Sequence, residues 1–239
     1  MHGTILALGG GGFSMTEGES LLDEYLLAMT GKDRPKVCFV PTASGDDRGY
    51  MMLFQDSFAG RAETHILSLF GRVDDRIHNL TADPAHVLEM DVVYVGGGST
   101  ANLLAIWRLH GLPDLLRQAA AQGTILAGIS AGMNCWFEGS VTDSFGPLAP
   151  LSDGLGFLPG SACPHYDGEE DRRPSYLRMV ESGDLGDGYA AQDYCALLWR
   201  DGKLESVLSE RPDAHAFRVS KDGTRAHEEM APARFLGAT

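Results

Sequence analysis

Residues 124–139 read TILAGISAGMNCWFEG, an apolar segment that runs into a serine flanked by small residues. The five residues Gly128-Ile129-Ser130-Ala131-Gly132 satisfy G-x-S-x-G. That pattern marks a sharp strand–nucleophile–helix turn in which the serine is exposed and the next N–H feeds an oxyanion hole. Small flanks are required because bulkier side chains would clash in so tight a turn. The alternative is a tight strand-to-helix connection with an incidental hydroxyl. The surroundings favour the nucleophile, because an apolar strand precedes the serine and the helix-compatible AGMNCWF follows it.

Upstream, GTILAL (3–8), KVCFVPTAS (36–44), THILSLF (64–70) and DVVYVGGGS (91–99) read as strands. Helical spacing is expected over 16–29, where Leu21, Leu22, Tyr25, Leu26 and Met29 recur, and over 48–60 and 102–122, with a break near HGLPD. Strands rich in Val, Ile and Leu that alternate with helices predict an α/β fold, a mostly parallel sheet covered on both faces. After residue 140, YAAQDYCALLWRDGKLESVLSE and AHAFRVSKDGT read as short strands joined by turns. They predict a C-terminal antiparallel extension of the same sheet. No linker or repeat divides the chain, so residues 1–239 are expected to form a single domain.

The formal net charge of −14 argues against a protein that neutralises nucleic-acid phosphates. No apolar run reaches the ~18 residues of a membrane span, and no basic-then-apolar leader opens the sequence. Cys38, Cys135, Cys163 and Cys195 are far apart, without the CxxC spacing of zinc or redox sites. A cytoplasmic location is expected. The glycine runs 9–12 and 96–98 do not make nucleotide sites. Phe13, Ser14 and Met15 follow Gly12 where GxGxxG needs its last glycine, and Gly31-Lys32 is followed by Asp33 rather than Ser or Thr. Gly96–Gly98 ends a strand, where backbone N–H groups can face a developing oxyanion; a glycine turn capped by Ser99 or Thr100 is equally compatible.

A serine nucleophile needs a base, and the base an orienting carboxylate. Of eight histidines, His165 lies in the loop ACPHYDG just after an apolar strand, the best position for a base. Asp143, Asp167 and Asp193 compete as the acid, Asp193 from between two short strands.

Taken together, VGGGSTANLL (95–104), AGISAGMNC (127–135), PHYD (164–167) and AAQD (190–193) resemble the peptidase E family of serine peptidases, which includes α-aspartyl dipeptidases and is related to cyanophycinases. The likeness spans roughly the whole chain. It implies a flavodoxin-like, class I glutamine-amidotransferase-like fold, with serine at the elbow where the amidotransferases have cysteine. It also implies Ser130 as nucleophile, His165 as base, and Gly97, Gly98 and Ala131 around the oxyanion. The acid maps to Asp193, where relatives often have Glu, or to Asp143. Asn134 matches SAG-x-N and braces the pocket.

One stretch departs from the resemblance. Aspartyl dipeptidases carry, after the histidine, an arginine-bearing loop that grips the substrate's N-terminal aspartate. Here the loop is shorter and reads HYDGEEDRRPSY. Either Arg172 or Arg173 supplies the guanidinium, or both pair with Glu169, Glu170 and Asp171. The expected activity is hydrolysis of short peptides, Asp-X dipeptides among them, through an acyl-enzyme, with no metal or cofactor. The expected partners are a small peptide and, as an option, a second copy of the chain in a homodimer, but neither nucleic acid nor membrane. Two rivals stand beside it. An α/β-hydrolase-type esterase would use His215 or His227 as base. A non-catalytic peptide or small-molecule sensor would keep the elbow alone.

Overall fold

The protein is described here by a computed structural model covering residues 1–71 and 74–237. Strands β1 (Thr4–Leu8), β2 (Lys36–Val40), β3 (Glu63–Leu67), β4 (Leu80–Thr81), β5 (Val92–Val95) and β6 (Ile125–Ile129) are parallel, in the order β1-β6-β5-β2-β3-β4. Side chains alternate across each strand. Leu6, Leu8, Phe39 and Tyr94 therefore pack with α1 (Leu21–Ala28) and α2 (Arg48–Ser57) on one face. Ile5, Ala7, Val40 and Val95 pack with α3 (Thr100–Leu109) and α4 (Leu112–Ala121) on the other. Burial on both faces is why these strands read as continuous apolar runs.

Local chemistry sets the helix ends. The Asp47 and Ser99 side chains accept the N–H groups of Tyr50 and Asn102. Gly111, at φ 66°, separates α3 from α4. Helix α1 begins at Leu21, later than its periodicity suggests. The Thr16 and Ser20 hydroxyls donate to Glu210 instead, at 2.8 and 2.6 Å. After Ser130 the helix α5 is only Ala131–Asn134. Beyond it the carbonyls of Cys135 and Trp136 accept the N–H groups of Leu155 and Leu158, at 3.0 and 2.8 Å, and the chain becomes extended.

The C-terminal part divides in two. Strands β7 (Phe137–Thr142), β8 (Ala149–Leu151), β9 (Leu158–Cys163) and β10 (Gly188–Ala191) precede β11 (Cys195–Arg200) and β12 (Lys203–Ser209). Strands β13 (Ala216–Asp222), β14 (Arg225–Ala231) and β15 (Arg234–Phe235) follow. β11 pairs antiparallel with β1 and with β12, the extension expected from the sequence. β15 pairs parallel with β12 at the edge of the main sheet, and the remaining six strands form a separate sheet, β14-β13-β10-β9-β7-β8. The chain leaves this sheet after Ala191 and joins the main one at Cys195. A helix absent from the sequence reading, α6 (Arg172–Ser182), packs its Tyr176 and Val180 on the second sheet. Among the described residues no helix is long and apolar enough to cross a membrane.

Candidate active site

Ser130 lies between β6 and α5 with φ 58° and ψ −111°. The flanking glycines admit this turn because the backbone is crowded on both sides. A Cβ on Gly128 would overlap the Gly132 carbonyl, and one on Gly132 the Val95 carbonyl. Six non-glycine residues among those described have positive φ. Three are Asp or Asn, which tolerate that region. The other three are Ser130, His165 (φ 52°) and Tyr194 (φ 64°). Strain of about 1–3 kcal/mol apiece is thus gathered at the serine, the histidine and the residue after Asp193.

Three consecutive carbonyls at the end of β1 hold these segments together. Leu8 O accepts the Ser130 N–H, Gly9 O the His165 N–H and Gly10 O the Tyr194 N–H, each at 3.1 Å. His165 Nδ1 lies 2.6 Å from Asp193 Oδ1, with both side chains 17% exposed. That contact fixes the tautomer with Nδ1 protonated and leaves Nε2 as the acceptor. The Asp193 carboxylate fits between two glycines: a Cβ on Gly10 would overlap Oδ1, and one on Gly168 would overlap Oδ2. Asp167 accepts the Asp193 N–H at 3.0 Å. A cavity of about 210 Å³ lined by Asp167, Asp193, Tyr194, Arg211, Asp213 and Ala214 opens on the acid.

Gly97 approaches the serine closely, its Cβ direction ending 3.3 Å from Ser130 Cβ. Its own N–H points to the Tyr50 hydroxyl at 3.4 Å. Among the described residues the N–H groups of Gly98 and Ala131 have no protein acceptor. Gly98, at φ 134°, has no room for a side chain beside Ala43 O, which accepts the Ser99 N–H at 2.8 Å. Buried Asn134 donates to Val141 O at 3.0 Å and to Thr100 Oγ1 at 3.3 Å, tying the elbow helix to β7 and α3.

The remaining residues singled out in the sequence fall elsewhere. Asp143 is 3.8 Å from Arg172 Nη2 and 59% exposed, away from the His165–Asp193 contact. Arg172 is buried and forked to Glu169 at 2.7 and 3.2 Å. Arg173 pairs with Glu228 and lies over the Tyr166 and Phe217 rings. His227 sits on β14 opposite Ser220, and His215 Nδ1 faces the Ala233 N–H; among the described residues neither is held against a carboxylate as His165 is.

Some contributors were not evident in the sequence. The glycine run 9–12 carries no sequence mark of this role, yet the Gly9 and Gly10 carbonyls hold the histidine and acid segments. Glu210 accepts from Gly12 N at 3.1 Å, as well as from Thr16 and Ser20, and so braces the same loop. Below it Asp23 is buried, and its pKa is pushed up to about 7. Burial is the main cause, and the negative charge of Glu210 adds to it.

The strand-to-helix turn at Ser130 and the carboxylate-held His165 are compatible with hydrolysis, and the chain's relatives include peptidases. The sequence profile described as Peptidase family S51 matches residues 5–207. The Bacillus subtilis (strain 168) protein named "Uncharacterized peptidase YgaJ" is 45% identical over 235 residues, 98% of this chain and 99% of that one. A "Peptidase E" of Streptomyces coelicolor is 29% identical over 216 residues, covering 86% and 84% of the two chains. Among solved structures, a peptidase from an acI-B1 Actinobacterium superposes with a TM-score of 0.69 at 17% identity, over 98% of this chain and 95% of that one. At that identity it shares the fold. On the profile match and the Bacillus similarity, this chain belongs to peptidase family S51.

Proposed function

We propose that the protein is a serine-type dipeptidase that cleaves short peptides through an acyl-enzyme formed on Ser130. The observation that carries this reading is the 2.6 Å contact of His165 Nδ1 with Asp193, its backbone tied to the same strand end as Ser130. Ser130 Oγ attacks the peptide carbonyl while its proton passes to His165 Nε2. The C–N bond then breaks, and the same proton leaves with the amine. Water attacks the ester in the second half, with His165 again as base. Asp193 keeps the imidazole in the required tautomer and stabilises the imidazolium.

The N–H groups of Gly98 and Ala131 are the donors for the oxyanion, each contributing about 3–4 kcal/mol in sites of this kind. Gly97 supplies close approach rather than a donor, since its N–H is turned to Tyr50. A preference for Asp-X dipeptides would need a guanidinium open to a carboxylate, and Arg172 is already forked to one. The reading is tested by the hydrolysis of a dipeptide panel by wild type and Ser130→Ala. Cleavage by wild type and loss in the variant, by about 10⁴-fold or more, is expected. Equal activity in the two would remove Ser130 from the mechanism.

A further inference from the structure

Four successive amides lead from the end of β5 into α3, and three of them are held. Gly96 N–H donates to Val40 O at 3.2 Å, and Ser99 N–H donates to Ala43 O at 2.8 Å. These two acceptors lie at the end of β2 and in the turn after it. Gly97 N–H donates to the Tyr50 hydroxyl at 3.4 Å. Among the described residues, the Gly98 N–H alone of the four has no protein acceptor.

Tyr50 is the one side chain among these anchors. It lies in the first turn of α2, where the Asp47 cap accepts its N–H at 2.8 Å and fixes the start of the helix. Its ring packs on Phe39, with centroids 4.9 Å apart, and on Phe13 at 5.5 Å. A Cβ on Gly96 would end 3.0 Å from Tyr50 Cε1 and 2.9 Å from Phe39 Cζ. The bare glycine therefore lets the tyrosine reach the amide that follows. Gly97 in turn faces the serine, its Cβ direction ending 3.3 Å from Ser130 Cβ and 3.8 Å from Oγ. It meets the tyrosine through its amide and the nucleophile through its open face.

A peptide unit is planar, so an N–H that is held orients the whole unit. Tyr50 holds the unit before the one that bears the Gly98 N–H, and Ala43 O holds the unit after it. Gly98, at φ 134°, and its two glycine neighbours have the widest backbone freedom of any residues, so anchors from outside set their conformation. Oxyanion stabilisation depends on donors that are aimed before the charge develops.

We propose that the Tyr50 hydroxyl is a positioning group: by holding the Gly97 N–H, it aims the Gly98 N–H at the oxyanion that forms when Ser130 attacks. The proposal rests on Ser130 being the nucleophile, and it adds a side chain of α2 to a site otherwise built from strand ends and loops.

The test is Tyr50→Phe, which keeps the ring in its aromatic cluster and removes one oxygen. With a dipeptide that wild type cleaves, kcat is expected to fall about tenfold while KM stays within about twofold. That loss is smaller than the roughly 10²–10³-fold cost of deleting an oxyanion donor outright. The rate at which a fluorophosphonate labels Ser130, which requires no peptide, should fall by the same factor. Calorimetry should give equal Kd values for the dipeptide in Ser130→Ala and Ser130→Ala/Tyr50→Phe. Unchanged kcat and labelling rate overturn the proposal. So does a loss carried by KM and Kd, the mark of a side chain that only shapes the pocket.

Amide hydrogen exchange in wild type, followed by NMR, reads the geometry without a variant and holds if Tyr50→Phe does not fold. Gly97 N–H is expected to exchange more slowly than Gly98 N–H, and equal rates overturn the proposal. Failure of the nucleophile reading shows separately, as wild type and Ser130→Ala cleaving or being labelled alike.

Discussion

At the scale of single residues, the site depends on groups that are absent as much as on those present. Gly10 and Gly168 leave the slot in which the Asp193 carboxylate meets His165. A methyl at residue 10 must displace that carboxylate. Gly10→Ala is therefore expected to lower kcat by about a hundredfold or more, with little change in KM, while circular dichroism and Tm stay close to wild type. A full kcat would show that Asp193 does not orient the base. Asp23 gives a second residue-scale outcome. Its folded pKa is about 7 against an ordinary 3.8, so the native state binds the proton more tightly. The stability it contributes is present below pH 4, declines as pH rises from 4 to 7, and is flat above. The span is about 4 kcal/mol. Asp23→Asn should match wild type in urea unfolding near pH 4 and exceed it at pH 8. A variant less stable at pH 8 would mean that the carboxylate is charged and well paired.

At the scale of elements, strand ends and the loops after them carry the candidate site residues. The segment between β1 and α1 is held by three hydrogen bonds to Glu210, which lies just past the end of β12. Losing them in Glu210→Ala should cost about 2–4 kcal/mol of unfolding free energy and loosen the loop that carries the His165 and Asp193 segments. Hydrogen exchange over residues 9–20 would show it as faster exchange than in wild type, and unchanged protection would contradict it. Three of the cysteines lie in strands, and Cys135 caps the C-terminus of α5. Burial pushes Cys38, Cys163 and Cys195 up to about 12, and Cys135 also upward. Since the thiolate is the reactive form, the native protein should ignore a disulfide reagent at pH 8. The four free cysteines should all react in urea. Fast labelling of Cys135 in the native state would contradict this and point to a reactive thiol near the Ser130 turn.

At the scale of the whole molecule, what could be read from the sequence follows from how locally each feature is encoded. The parallel strands were legible because two buried faces leave unbroken apolar runs, and the elbow because Gly128 and Gly132 are demanded within five residues. His165 and Asp193 were legible as candidates from their loops, but their contact depends on a strand pairing far along the chain. The split into two sheets was not legible: β10 and β11 are separated by only Gln192, Asp193 and Tyr194, and nothing in those residues marks a change of sheet. Helix α6 was hidden because Tyr176 and Val180 are its main core contacts, in a stretch dense with charge. The role of residues 8–10 was equally hidden, since it is performed by carbonyls that every residue possesses. These three carbonyls bring together segments centred on residues 130, 165 and 194, and long-range pairing of this kind leaves no periodicity to read.

The most direct test of the account is to treat the native protein with a fluorophosphonate and map the adduct by mass spectrometry in wild type, Ser130→Ala and His165→Ala. A single adduct on Ser130, absent in the first variant and slowed about a thousandfold or more in the second, is the predicted result. An adduct on another residue, or equal labelling rates in wild type and His165→Ala, would contradict a nucleophile at the β6 elbow activated by the histidine after β9.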